Sequence, residues 1–484
     1  MHVIIHDRCG SIFRYYDRAE EIKDQGRDRA RTICGNRNDF DIIDRSIEEG
    51  ETVMKKLFIL VMSALLAVAW YTNLSNLAEK PVLYEKYIKA GDKYMQMELY
   101  EDAVSMYAGA VEIDPVKEEG RLRYANANYA LGNTKEFVST CTGLVEQEKL
   151  SKEALTLLTD YYARSGKAET LVSLLYNVRT RYPEDEEIRN LWKEYAGSYH
   201  KVGSKFSSLG LVFNGYTIGT VNETPYLVNT SGEVVIDDAY ENIGYLSADN
   251  KWIAVSKDGE WYYINTSNHK KMVSEEAYTY CGLYSEGVAV AQKDGKYGYI
   301  DTMMQAASSF DWDMASNMYH GVAAVCKDGK WALINSGYEQ ITDYIYEDIA
   351  LNEAGFCSVN GCIFAKDAGG YHMLDVNGDE IGAESWEDVM AFSAASYAAV
   401  CKNGKWGFAG ADGKLFIDYK YDGAKNFGAG YAPVLIDGKW GYIDTQDELI
   451  VKPQFEDAYP FCAKGTAPVK DGSYYFIQLY AITQ

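Results

Sequence analysis

The side chains that most often carry chemistry are few here and poorly placed for it. Six histidines stand at His2, His6, His200, His269, His320 and His372, none in an HExxH pair or at zinc-ligand spacing from cysteines. Cys326 and Cys401 share one place in a repeated Ala-Val-Cys-Lys phrase and read as small buried apolar residues. Cys357 and Cys362 flank Val359-Asn360-Gly361, so a hairpin disulfide is open to them in an oxidising compartment. Asp375-x-Asn377-x-Asp379 opens like a calcium loop, but its sixth and twelfth positions hold Glu380 and Trp386 where Gly and Glu are needed. Each Gly-Lys pair is followed by an aromatic or aliphatic residue, which excludes a phosphate loop. No Gly-x-Ser-x-Gly elbow or Ser-x-x-Lys set occurs. Paired acids such as Asp311/Asp313 and Glu456/Asp457 recur at a fixed period, which suits turns better than general acid–base work. The expectation is a chain without catalytic, cofactor-binding or metal-binding residues, and so not an enzyme.

Composition sets what must position any other site. The chain has 484 residues, 47% hydrophobic and 24% charged, enough for two or three globular domains. Tyrosine is abundant, with 41 copies against 8 prolines, which favours strands. A formal net charge of −24 without a Lys/Arg patch excludes a nucleic-acid partner. It also leaves hydrophobic burial as the one route to a membrane.

Residues 57–74 read LFILVMSALLAVAWYTNL, uncharged and preceded by Lys55-Lys56. That length approaches the roughly 20 residues of a spanning helix, and the lysines place its N-terminal end in the cytoplasm. The expectation is a single-pass signal anchor over 54–78 in a bacterial cell membrane, with the bulk of the chain outside. The alternative is a cleaved signal peptide ending at Ala67-Val68-Ala69 and a secreted product. Residues 1–53 lack sustained periodicity and read as a disordered, non-native extension. Glu48-Glu49-Gly50-Glu51 would be encoded by a purine-rich run like a bacterial ribosome-binding site, so translation is expected to start at Met54.

From 81 to 200 the pattern is amphipathic helix with a 34-residue period through Glu98, Gly132 and Gly166. Tyr87, Ala90-Gly91, Tyr94, Ala103, Tyr107 and Pro115 resemble the tetratricopeptide repeat in the first unit, and two looser units follow. The resemblance implies an α-solenoid whose first helices line a peptide groove. By register that groove holds Glu85, Ile88, Asp92, Met95, Glu119, Leu122, Asn126, Tyr129, Glu153, Asp160 and Arg164. It would be mildly acidic and suited to a neutral or basic peptide. A block of this kind also serves as a plain spacer.

Over 205–484 the period becomes strand-like. Asp294-Gly295-Lys296-Tyr297-Gly298-Tyr299-Ile300-Asp301 returns as Asp437-Gly438-Lys439-Trp440-Gly441-Tyr442-Ile443-Asp444, with variants centred on Tyr226, Trp261, Trp331, Tyr371, Trp406 and Tyr474. A second half recurs as Tyr346-Glu347-Asp348 or Phe455-Glu456-Asp457. Asp-Gly between apolar strands is a tight-hairpin signal, and the glycine after Trp makes room for a neighbour. Units of about 35 residues are too small to fold alone and must stack. The chain here resembles the bacterial WG-repeat family, named for pairs such as Trp406-Gly407 and Trp440-Gly441. The first half unit, LGLVFNGYTIGTV, and the last, GSYYFIQLYAI, would close a β-propeller-like ring by pairing; an open β-solenoid is the alternative.

The fold class is thus α then β: a tetratricopeptide-like solenoid followed by an all-β WG-repeat array. The functional expectation is a membrane-anchored, extracytoplasmic scaffold for a peptide or protein. The alternative is a glycan- or cell-wall-binding protein whose exposed Tyr and Trp rings stack on sugars.

Overall fold

The computed structural model describes residues 37–236, 238–247, 249, 251–393 and 396–482, with side chains from residue 56 onward except 58 and 69–78. It forms two compact units, Met1–Leu155 and Thr156–Gln484.

The first unit is helical: α1 (Arg37–Gln96), α2 (Tyr100–Ile113), α3 (Glu118–Leu131) and α4 (Thr134–Val145), each packed on the one before. Tyr84, Ile88, Tyr107 and the methyl-sized Ala103, Ala110 and Ala127 make its core. Tyr107 lies so close to α1 that a Cβ on Gly91 would sit 2.4 Å from its ring, and Tyr87 stands 2.8 Å from where one would lie on Gly109. Small residues opposite large rings set the spacing of α1 and α2. Glu98, Gly132 and Gly166, aligned by the 34-residue period, all turn the chain with positive φ (58°, 87° and 69°).

The expected signal anchor is not upheld. Its residues 58 and 69–74 lie outside the described side chains, and among the described residues no helix is long and apolar enough to cross a membrane. The described side chains of the apolar run are those of residues 57 and 59–68. They belong to a single helix of 60 residues that runs on through Glu79 and Lys80 and past Pro81. The transmembrane assignment of 57–74, and the cell-membrane localisation built on it, are corrected accordingly. Of the extension, residues 1–36 lie outside those described, whereas 37–53 form the start of α1.

In the second unit, the helical residues from Thr156, α6 (Ala168–Arg181) and α7 (Glu186–Tyr195) precede eight antiparallel sheets, where α5 (Lys152–Arg164) is the helix crossing the unit boundary. Each sheet is a blade of a β-propeller: blade 1 over 208–236, then 242–272, 280–301, 314–335, 348–386, 388–421, 423–455 and, as blade 8, 457–479. In the described residues of each blade a short first strand leads into a tight hairpin of two longer ones. The hairpin turns are Asp258-Gly259, Asp294-Gly295 and Asp437-Gly438, both residues at φ between 49° and 79°. That is the mirror-image turn whose twist matches paired strands.

The second and third strands of each blade are rich in buried apolar residues because both faces of the blade are covered there. In blade 4, Ala323 and Val325 pack with Val290 and Tyr299 of blade 3. The alternating Val322, Ala324 and Cys326 pack with Ile349 and Ile363 of blade 5. One strand therefore feeds two cores with a period of two. In blades 6 and 7 the fourth strand shifts register beside the Trp-Gly pair. Its backbone then passes where a side chain would stand: a Cβ on Gly407 would lie 2.5 Å from the Ile417 carbonyl oxygen, and on Gly441 2.5 Å from that of Val451.

The ring closes, which excludes the open solenoid, but through a different strand from the one expected. Leu209–Val221 supplies inner strands of blade 1, paired with each other and with Thr224–Asn229. The outer edge of Ser473–Leu479 is taken instead by Tyr199–Phe206, with Tyr199 opposite Leu479 and Val202 opposite Phe476. This segment reads as a linker because an outermost strand needs one buried face at most, and most of its residues are exposed. Its upstream helices rest on the propeller too. Lys193 pairs with Glu448 at 2.8 Å, and a Cβ on Gly197 would collide with the Ile450 carbonyl.

Substituting Gly441→Ala is expected to lower stability by about 1–3 kcal/mol, because the fourth strand must move. Urea unfolding followed by tryptophan fluorescence checks it, and an unchanged midpoint refutes the backbone-clearance account.

Candidate functional site

The large residues of the repeat are spent between blades. Tyr263, Tyr299 and Tyr442 are 0% exposed. Each donates its phenol hydroxyl to the carbonyl just past the first strand of the next blade: to Gly282 at 2.7 Å, Ser316 at 2.8 Å and Tyr459 at 2.8 Å. Burial pushes all three phenols well above the ordinary value, so they are neutral donors at any physiological pH. None has a ring face left for a sugar.

The recurring acids and lysines form a second set of joints. Asp313 accepts the Asp328 N–H of its own blade's turn at 2.7 Å, and Asp422 accepts that of Asp437 at 3.2 Å. Glu241, Glu387 and Glu456 hold the turn N–H of Gly259, Gly404 and Gly472 at 3.1, 3.0 and 3.3 Å. The lysines of two Asp/Asn-Gly-Lys phrases reach forward to the acid that holds the next turn, and that of a third lies near an acid at the same spacing. Lys296 meets Asp313, and Lys405 meets Asp422 at 2.6 Å, each 17 residues on. Lys330 lies 3.9 Å from Glu347. One carboxylate thus clasps a turn in its own blade and a cation from the blade before. Sequence reasoning assigned the acids to turns and missed the lysines; the constant 17-residue spacing was the available signal.

The middle of the ring is filled at one level. Phe356 of blade 5 meets Phe213 of blade 1 with ring centroids 5.8 Å apart, and Tyr319 of blade 4 at 5.1 Å. Blades 1 and 5 are opposite in a ring of eight, so these rings occupy the centre.

Of the groove residues, Ile88 (3% exposed) and Leu122 (6%) are core, and Met95 packs against that core. Glu85, Asp92 and Glu119 come together but are engaged by cations. Lys117 lies 3.5 Å from Glu85 and 3.3 Å from Glu119, while Arg123 binds Asp92 and lies 3.4 Å from Glu119. Tyr107 also donates to Asp92 at 2.7 Å. Asn126 is half-buried, whereas Tyr129 and Glu153 are exposed. Asp160 and Arg164 pair with each other at 3.9 Å in the second unit. Lys117 and Arg123 thus answer the acidity expected from Glu85, Asp92 and Glu119.

The remaining sequence candidates have structural roles. Cys357 and Cys362 are free buried thiols, and burial raises the Cys357 thiol to about 11. Asp375 accepts the Asn377 and Asp379 N–H groups at 2.8 and 2.9 Å, a turn in place of a calcium loop. Among the described residues no group of His, Cys, Asp and Glu is placed to hold a metal ion.

Fold and joints together define an eight-bladed β-propeller built of internal repeats behind a helical region. Five segments, 227–261, 263–297, 297–331, 406–440 and 440–475, match the family model of the WG containing repeat. The unmatched stretch between them covers the copies in which Ala332 and His372 replace the repeat glycine. No curated protein matches the chain. Among solved structures it is similar to a eukaryotic initiation factor, at 10% identity over 57% of this chain and 85% of that one, TM-score 0.39. It is also similar to the WD40 domain of SCAP from fission yeast, at 7% identity, 59% and 97% coverage, TM-score 0.35. A third likeness is the extracellular domain of a one component system from B. thetaiotaomicron, at 10% identity, 52% and 42% coverage, TM-score 0.32. These are partial likenesses, and the propeller assignment rests on the eight sheets themselves.

Two measurements probe the joints. Tyr263→Phe strands the buried Gly282 carbonyl and is expected to cost about 1–3 kcal/mol in urea unfolding; a neutral result refutes the interblade bond. The clasps predict an acid dependence. Hydrogen bonding to Lys296 and Lys405 holds the carboxyls of Asp313 and Asp422 below the usual carboxylate range, and the Gly472 N–H does so for Glu456. Depressed folded-state values contribute stability that is complete above the ordinary carboxylate range and is lost as pH falls through it. Asp444, raised by burial, works in the opposite direction. The urea midpoint should therefore drop from about pH 5 downward, less steeply in Lys405→Met than in the unaltered chain.

Proposed function

We propose that this chain is a non-enzymatic binding scaffold for a peptide or protein. The observation that supports it is the fate of the repeated residues. Recurrent aromatics, acids and lysines are consumed in holding blades together, so recognition falls to the residues that differ from blade to blade. The helical unit offers a second surface. Gly91 set against Tyr107, and Pro115 after α2, support its reading as tetratricopeptide-like. On that reading Glu85, Asp92 and Glu119, interleaved with Lys117 and Arg123, face a peptide of mixed charge, and Tyr129 and Glu153 belong to the same proposed groove. A glycan partner has weaker support, since the buried Tyr263 and Tyr299 present nothing for a sugar to stack on.

The test is selection of displayed random peptides on the full-length chain, beside co-sedimentation with insoluble polysaccharides. Saturable peptide binding without polysaccharide co-sedimentation is expected. Binding confined to polysaccharide overturns the reading.

A further inference from the structure

Blades 6 and 7 carry the same bulge on their outermost strands. Leu415 stands opposite Ala409 and Ile417 opposite Phe408, which leaves Phe416 as the extra residue between them. In blade 7, Leu449 and Val451 keep that register against Ile443 and Tyr442, and the extra residue is Ile450. The turn leading in is shared as well. The Gly410 N–H donates to the Lys414 carbonyl at 2.9 Å, and that of Asp444 to the Glu448 carbonyl at 3.0 Å. Lys414-Leu415-Phe416 and Glu448-Leu449-Ile450 therefore occupy one place in two neighbouring blades.

What lies on that place differs. In blade 7 the end of α7 and the turn after it rest there. Lys193 reaches Glu448 at 2.8 Å, and a Cβ on Gly197 would stand 2.1 Å from the Ile450 carbonyl oxygen. Ile450 is 5% exposed, whereas Leu415 and Phe416 are each 39% exposed. The Phe416 ring is braced: it stacks on Tyr397 with centroids 3.8 Å apart and stands edge-on to Phe427 at 6.5 Å. Lys414 keeps an exposed side chain, with Asp412 at 3.0 Å. Blade 1 repeats the bulge at Val235, where the extra side chain is only a valine.

We propose that Leu415 and Phe416 receive an amphipathic helix of a protein partner, seated as α7 is seated on blade 7. This rests on the scaffold reading and names the partner chemistry of one surface. The contact within the chain supplies that chemistry. On blade 7 a cation of the helix meets the acid Glu448; on blade 6 the same place holds Lys414, which calls for a carboxylate on the incoming helix. The formal charge of −24 repels an acidic segment as a whole, so the carboxylate is confined to the position facing Lys414. The rest of the incoming face must be apolar at helical spacing to cover Leu415 and Phe416. A braced aromatic side chain is the usual carrier of energy in such a contact.

The experiment selects displayed random peptides on the full-length chain and, in parallel, on Lys414→Glu, which installs the blade 7 residue at that place. On the unaltered chain, enriched sequences should share apolar residues at helical spacing with an Asp or Glu beside them. On Lys414→Glu the shared charge should become Lys or Arg, with the urea midpoint unchanged because Lys414 is exposed. Phe416→Ala should weaken the peptides enriched on the unaltered chain by about tenfold or more. Bound peptide should also slow amide exchange over residues 415–421. Enriched peptides that are indifferent to both substitutions overturn the helix site and leave the scaffold standing. Self-association of the chain that Phe416→Ala abolishes gives the face to a second copy and overturns it as well. Failure to enrich any peptide overturns the scaffold reading and the helix site with it.

Discussion

A blade of this protein has two apolar faces, and only a neighbour on each side can keep both from water. Everything else follows from that. Alternate residues of one strand, such as Ala323 and Val325 against Val322 and Ala324, belong to different cores. A blade therefore cannot be stable until the ring around it exists. The buried tyrosines convert this into a directional constraint. Tyr263, Tyr299 and Tyr442 each need a carbonyl at a fixed place on the next blade, and that place exists at one interblade angle only. Eight interblade steps bring the last blade back to the first, where Tyr199–Phe206 supplies the strand that removes the final edge.

The same economy governs the charges. With a formal charge of −24 the chain could be expected to repel itself. Lys296 and Lys405 are placed where they offset this most directly, each beside an acid that already holds a turn. Such exposed pairs are individually weak, but each fixes the relative position of two blades. What remains for recognition is the departure from the pattern.

Much of the ring was legible in sequence because its unit is local. A turn of positive φ needs Asp-Gly, a strand passing over the Trp-Gly pair needs the glycine, and both recur at one period. The helical groove was less legible. A 34-residue register places Ile88 and Leu122 with Glu85 and Glu119 but does not say which side of α1 and α3 faces the core. Nor does it show that Lys117 and Arg123 reach across to Glu85, Asp92 and Glu119. At 57–74 the expected anchor is corrected by the described residues, among which no helix is long and apolar enough to cross a membrane.

The sequence by itself determined the repeat, its turns, the demand for glycine after the tryptophan, and the presence of a helical region before a β region. These depend on interactions within some 35 residues, which a periodic pattern records directly. Only the tertiary structure decided how the ring closes, because the closing strand is polar, lies on an outer edge, and is separated by more than 250 residues from its partner. It also decided that Tyr263 and Tyr299 face inward and Tyr280 outward. The next blade offers Tyr263 and Tyr299 a carbonyl and a core, whereas Tyr280 stands half-exposed against Trp261 and Tyr297, a difference that residue type does not record.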